Sequence, residues 1–215
     1  MADALERLRE TRIVPVIVIE DAEDAVPLAR ALVEGGLPCA EVTFRTAAAA
    51  EALGRITEAY PEMLAGAGTV LTPEQAARAR DAGAKFVVSP GLNPAVVDWC
   101  LENAMPVFPG VCTPTEIEMA LGKGLRTVKF FPAEPIGGLP YLKAIAAPYG
   151  MVEFIPTGGI GVGHLEAYLG FDRVVAVGGS WMVKQEWIRG GDFDRVRREA
   201  EGAVRAVAET TGDRG

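Results

Sequence analysis

The sequence contains a single histidine, His164, and three cysteines, Cys39, Cys100 and Cys112. A metal site built on histidines is thereby nearly excluded, and a Ser-His-Asp triad is disfavoured. His164 follows Gly161-Val162-Gly163 at a helix start, a position that suits capping or the surface. The cysteine count is odd and the spacings match no zinc pattern, so the three read as small buried thiols of a reducing cytoplasm. Positive charge is also scarce: 21 Lys and Arg stand against 29 Asp and Glu, a net charge of −8. That balance, with no basic stripe, argues against a nucleic-acid partner. No run approaches the roughly 18 apolar residues of a membrane span. The first ten residues form a charged amphipathic turn rather than a signal peptide. No low-complexity linker interrupts the chain. Residues 1–215 therefore read as one domain, with an N-terminal helix over 1–11 and a frayed tail over 210–215.

What is present is a repeat. Short apolar runs recur at Ile13–Ile19, Cys39–Phe44, Leu64–Gly68, Phe86–Val88, Val107–Pro109, Leu125–Phe131, Val152–Ile155 and Val174–Val177. Each is followed by a helical pattern, as where Ala22, Ala25, Val26, Ala29, Leu32 and Val33 mark one face. The connections carry N-terminal capping chemistry. Thr72-Pro73 and Asn93-Pro94 supply a cap and a proline at the first helical position, and Thr113-Pro114-Thr115-Glu116 reads as a full capping box. Eight strand–helix units in a chain not far below the roughly 250 residues typical of the class predict an α/β fold, a (β/α)8 TIM barrel. The rival, an open doubly wound sheet, lacks its dinucleotide signature: neither Gly66-Ala67-Gly68 nor Gly158–Gly163 has the G-x-G-x-x-G spacing.

Lysine is scarce as well. Of five, only Lys129 stands inside an apolar strand-like run, Leu125–Phe131. Burying an unpaired ammonium is costly, and an amine removed from water loses its proton more readily and becomes a nucleophile. Alternation then assigns faces. In Cys39–Arg45, Val42 and Phe44 mark the side covered by helices, so Glu41, Thr43 and Arg45 point inward. In the sixth run Val128 and Phe130 point outward and Thr127, Lys129 and Phe131 inward. Three charges, Glu41, Arg45 and Lys129, are thus expected at the end of a barrel where active sites collect. A structural ion pair is the alternative reading. Gly66-Ala67-Gly68 leaves room, and Thr69 offers a rim hydroxyl or serves as a turn residue. Thr157-Gly158-Gly159 and Gly178-Gly179-Ser180 end the seventh and eighth units, where barrels often bind phosphate through backbone N–H groups.

These residues resemble the 2-keto-3-deoxy-6-phosphogluconate aldolases, including the bifunctional 4-hydroxy-2-oxoglutarate aldolases. The motifs are Glu41-Val42-Thr43-Phe44-Arg45-Thr46, Gly66-Ala67-Gly68-Thr69, Ser89-Pro90-Gly91, Lys129-Phe130-Phe131-Pro132-Ala133-Glu134, Thr157-Gly158-Gly159-Ile160 and Gly178-Gly179-Ser180-Trp181. Phe44 stands where the pattern has leucine, on the outward face. The resemblance implies a metal-free, cofactor-free class I aldolase, commonly a homotrimer. It implies that Lys129 forms the Schiff base and Glu41 moves protons. Arg45 and Thr69 would hold the pyruvate carboxylate, and Gly158, Gly159, Gly179 and Ser180 the distal phosphate. Thr157 would influence stereoselectivity, and Pro90 and Phe131 would line the pocket. Two other classes fit parts of the pattern: a phosphate-binding barrel epimerase, isomerase or synthase that forms no imine, and a non-catalytic oligomeric scaffold.

Overall fold

The structure, a computed structural model, describes residues 2–212. Positions 213–215 of the expected tail lie outside the described residues, and 210–212 belong to the last helix.

The described residues form nine short strands, separated by helices everywhere but between the fifth and the sixth. They are β1 (Ile13–Ile17), β2 (Cys39–Thr43), β3 (Leu64–Gly68), β4 (Val87–Val88), β5 (Val107–Phe108), β6 (Gly110–Val111), β7 (Thr127–Phe130), β8 (Glu153–Pro156) and β9 (Val177–Gly179). Six form a curled, all-parallel sheet in the order β5-β4-β3-β2-β1-β9, and β6-β7-β8 form a second parallel sheet. Parallel bridges Phe154↔Val174 and Thr157↔Gly178 join β8 to the β9 segment.

Two sequence expectations need correction. The run Val107–Pro109 is not one strand. Pro109 has no N–H to extend the ladder, so Val107 and Phe108 pair with β4 while Gly110 and Val111 pair with β7. The carbonyl of Pro109 still accepts from the Lys129 N–H at 2.9 Å. The last strand begins at Val177 rather than Val174 and includes Gly178 and Gly179, which had read as loop. Their missing side chains are filled by neighbours: a Cβ at Gly178 would collide with the Thr157 hydroxyl, and one at Gly179 with the Trp181 ring.

Strand alternation divides the core into two clusters. Ile13, Ile17, Ala40, Val42, Ala65, Ala67, Val87, Val107, Val128, Phe130 and Phe154 face the helices. Val14, Cys39, Leu64, Phe86, Val88, Phe108 and Ile155 face the concave side. Val42, Phe44, Val128 and Phe130 are thus outward, as the sequence predicts. The concave side is stoppered from below by α1 (Ala2–Thr11). Ala4 and Leu8 enter the inner cluster, where burying a leucine contributes roughly 1.5–3 kcal/mol. Arg9 grips Glu153 of β8 through both carboxylate oxygens, at 2.7 and 2.6 Å.

The capping signals are realised. Thr72 Oγ1 accepts from Gln75 N–H at 3.2 Å and Asn93 Oδ1 from Ala95 N–H at 3.0 Å. The Glu116 carboxylate accepts from the N–H groups of Cys112 and Thr113. Among the described residues no helix is long and apolar enough to cross a membrane.

Candidate active site

Lys129 projects from the middle of β7 and Glu41 from the middle of β2. Their side chains meet across the concave face, with Nζ donating to Oε1 at 3.3 Å. Glu41 is 3% exposed and Lys129 5%. Below them lies a cavity of about 10 Å³ lined by Leu8, Val14, Phe86, Val88, Phe108 and Ile155 as well as the pair. It holds at most about one water. The floor is therefore almost wholly apolar, and each charge has the other as its main compensation. The Phe131 ring, one residue past β7, lies with its centroid 5.2 Å from Nζ, within cation–π range.

Glycine makes this meeting possible. Glu41 pairs in register with Gly66, and Thr43 with Gly68. A Cβ at Gly68 would collide with the Glu41 carboxylate, and one at Gly66 would lie 2.5 Å from the Phe86 ring. Thr43 is fully buried, and its hydroxyl donates to the Ile17 carbonyl at 2.7 Å.

Arg45 sits one step higher, at the rim, and is exposed. It does not pair with Glu41. Its Nε donates to Thr69 Oγ1 at 3.2 Å, and among the described residues it forms no ion pair. The guanidinium's remaining donors are free for an anion. Thr69 stands at φ +54°, a left-handed conformation that a β-branched residue adopts only at a cost. In that conformation its hydroxyl accepts from Arg45.

Across the mouth, Thr157 is buried and its hydroxyl lies 3.4 Å from the Ile155 carbonyl. Gly158 and Gly159 follow at φ +105° and +79°. A Cβ at Gly158 would lie 3.3 Å from the Phe131 ring, so this turn and the lysine's aromatic neighbour touch. Among the described residues, neither Gly158 N–H nor Gly159 N–H donates to a carbonyl. Ser180 is exposed just past β9, on a 390 Å³ cavity that Val16, Val18, Lys184 and Arg189 also line. Gly179 is inside β9, and its smallness serves the Trp181 ring. Pro90 follows β4 and packs its carbonyl where a Gly110 side chain would be.

Lys129, Glu41 and Phe131 are thus brought together, with Arg45–Thr69 and Gly158–Gly159 at the rim. The sequence reading missed Lys184; its place beside Ser180 depends on the fold of the connection between β9 and the short helix Gln185–Arg189. His164 caps its own turn, with Nδ1 accepting from Gly161 N–H at 3.1 Å. Cys39 and Cys100 are buried thiols, pushed up by desolvation to about 12 and about 11. Among the described residues no three His, Cys, Asp or Glu side chains come together as ligands.

A family model described as "Aldolase: KDPG and KHG aldolase" matches residues 5–199. A 2-dehydro-3-deoxy-phosphogluconate aldolase of Treponema pallidum is 51% identical over 96% of this chain and 99% of its own. A KHG/KDPG aldolase of Escherichia coli K12 is 44% identical over 89% of this chain and 90% of its own. Among solved structures, the KDPG aldolase of Legionella pneumophila, with pyruvate captured at low pH as a covalent carbinolamine, superposes with a TM-score of 0.90. It is 40% identical, and the match covers 93% of this chain and 97% of that one.

Proposed function

This chain belongs to the KDPG and KHG aldolase family, and on that premise we propose that it is a class I aldolase. It reversibly cleaves 2-dehydro-3-deoxy-6-phosphogluconate to pyruvate and glyceraldehyde 3-phosphate, and takes 4-hydroxy-2-oxoglutarate as a second substrate. The observation that carries this reading is the sequestered Lys129–Glu41 pair, 3.3 Å apart on an apolar floor.

The chemistry follows from that contact. A proton passing from Nζ to the Glu41 carboxylate leaves a neutral amine and a carboxylic acid. The amine attacks the C2 ketone, and the acid returns its proton to the departing water, leaving an iminium and a carboxylate. The iminium accepts the electron pair of the C3–C4 bond as that bond breaks. Glu41, directly or through a water, removes the C4 hydroxyl proton as the aldehyde forms. The enamine is reprotonated at C3, and water releases pyruvate from Lys129. Arg45, steadied by Thr69, binds the C1 carboxylate through its unused donors. The Gly158 and Gly159 N–H groups and Ser180 bind the distal phosphate. Thr157 lies between these ends, where it can sense the configuration at C4; Phe131 and Pro90 wall the pocket.

The same reading treats the two sheets as one (β/α)8 barrel in a single domain. Its support is the β8–β9 bridges on one side and the continuous segment 107–111 on the other, which pairs with both β4 and β7. A homotrimer in the cytoplasm is part of the proposal; sedimentation velocity checks the trimer. The decisive experiment is borohydride reduction in the presence of pyruvate, followed by peptide mapping. A stable adduct on the Lys129 peptide with loss of activity is expected. An unmodified peptide and undiminished activity would exclude the imine and favour an imine-free barrel enzyme.

A further inference from the structure

Glu134 closes the Lys129-Phe130-Phe131-Pro132-Ala133-Glu134 motif, yet none of the steps above uses it. Its backbone extends the β7–β8 ladder past the strands: Ala133 N–H donates to the Thr157 carbonyl at 2.9 Å and Glu134 N–H to the Gly158 carbonyl at 3.0 Å. Those bonds fix the carbonyls of the glycine turn on one side, which leaves its N–H groups to face away from the ladder. The side chain continues the same task. Its stem lies against Gly159, where an added Cβ would sit 2.7 Å from the Glu134 Cβ and 3.3 Å from its Cγ. Oε1 accepts from the Tyr168 hydroxyl at 2.5 Å, and Oε2 lies 3.6 Å from His164 Nε2. Tyr168 belongs to α8 (Leu165–Leu169) and is 1% exposed. Burial, reinforced by the bond to Glu134, pushes its hydroxyl well above the ordinary tyrosine value and keeps it a donor.

One carboxylate therefore connects the segment after the nucleophile's strand, the glycine turn after β8, and the start of α8. We infer that Glu134 is a positioning residue that holds the Gly158–Gly159 turn at a fixed distance from Lys129, and so sets the recognition of the substrate's distal phosphate without touching the substrate. This rests on the aldolase reading above and adds to it a cause for the turn's geometry. Left-handed glycines are intrinsically mobile, and a displacement of about 1 Å in a binding group is worth up to about 10²-fold. A turn presenting two N–H groups needs an external brace, and Glu134 supplies it from three sides.

The test compares aldol synthesis from pyruvate with glyceraldehyde 3-phosphate and with unphosphorylated glyceraldehyde. For Glu134→Ala, the KM for the phosphorylated aldehyde should rise at least about 10-fold. kcat/KM for the unphosphorylated one and the rate of pyruvate trapping should change less than about 2-fold. Glu134→Gln keeps the stem and an acceptor for Tyr168, and should recover most of the loss. Tyr168→Phe should shift KM in the same direction as Glu134→Ala, and it serves as the test if the alanine variant does not fold. Equal losses with both aldehydes would mean a merely structural role and overturn the inference. So would an unchanged KM for the phosphorylated one. If the unsubstituted enzyme itself showed no preference for the phosphorylated aldehyde, or no imine, the aldolase reading would be what failed.

Discussion

The empty side of Gly68 is occupied by the carboxylate of Glu41: no larger residue can stand at the end of β3 while Glu41 reaches Lys129. The glycine is in β3, paired with Thr43, and the acid is in β2, two residues before Thr43 on the same face. The Glu41 carboxylate is therefore positioned from a neighbouring strand as well as from its own.

Gly68→Ala should consequently act as a catalytic substitution although it touches no reactant. Its methyl displaces the Glu41 carboxylate, and kcat should fall about 10²-fold. The fold should survive, because the displaced side chain is terminal and can swing. Steady-state kinetics beside a urea melt measure both; unchanged kcat would mean that Glu41 does not need this position.

Glu41→Gln separates imine formation from bond cleavage. General acid–base groups contribute about 10²–10⁴-fold, so cleavage should slow by that range while borohydride trapping of pyruvate persists. Full cleavage activity in this variant would remove Glu41 from proton transfer.

The buried pair should be asymmetric in stability. Lys129→Met leaves a carboxylate unpaired on an apolar floor, and about 3–5 kcal/mol of stability should be lost. Adding Glu41→Gln removes the orphaned charge and should restore most of it, with activity expected to be lost. Chemical denaturation of the two proteins decides this; equal stabilities would mean that water reaches the pair.

Thr69→Gly should reverse the usual association of stability with activity. Relief of the left-handed backbone at φ +54° favours the variant by about 1 kcal/mol. Loss of the hydroxyl frees Arg45 to wander, and the KM for pyruvate should rise. Thermal melts and pyruvate saturation curves give the two readings.

Tyr168 predicts a limit at high pH. Its hydroxyl is held protonated, chiefly by burial and then by the bond to Glu134. A group whose pKa is raised on folding contributes stability in full below its ordinary value of about 10 and loses it as the pH climbs beyond that. The urea midpoint should decline above about pH 10, and less steeply in Tyr168→Phe. Parallel declines would assign the effect to other groups.

The inner and outer faces of β2 and β7 were legible because strand alternation is strictly twofold and Val42, Phe44, Val128 and Phe130 mark one side without exception. The caps at Thr72, Asn93 and Thr113 were legible because they act over two or three residues. The position of Arg45 was only half readable: alternation put it inside, but nothing local revealed that it lies a step above the ion pair and leans on Thr69. Gly178 and Gly179 were misread as loop because their purpose, clearance for Thr157 and Trp181, is a tertiary one. Glu134 gave no signal beyond its motif, since its hydroxyl partner lies 34 residues away.

The stopper formed by Ala4 and Leu8 fills the α1 end of the chamber with apolar side chains. In the proposed reaction the reactants would enter and leave at the opposite rim, beside Arg45 and the Gly158–Gly159 turn, and depth would set their order of departure. On that reading the aldehyde fragment, held by the outer turns, would stand in the way of the three-carbon fragment tethered to Lys129. It would leave first, and hydrolysis of the tether would follow.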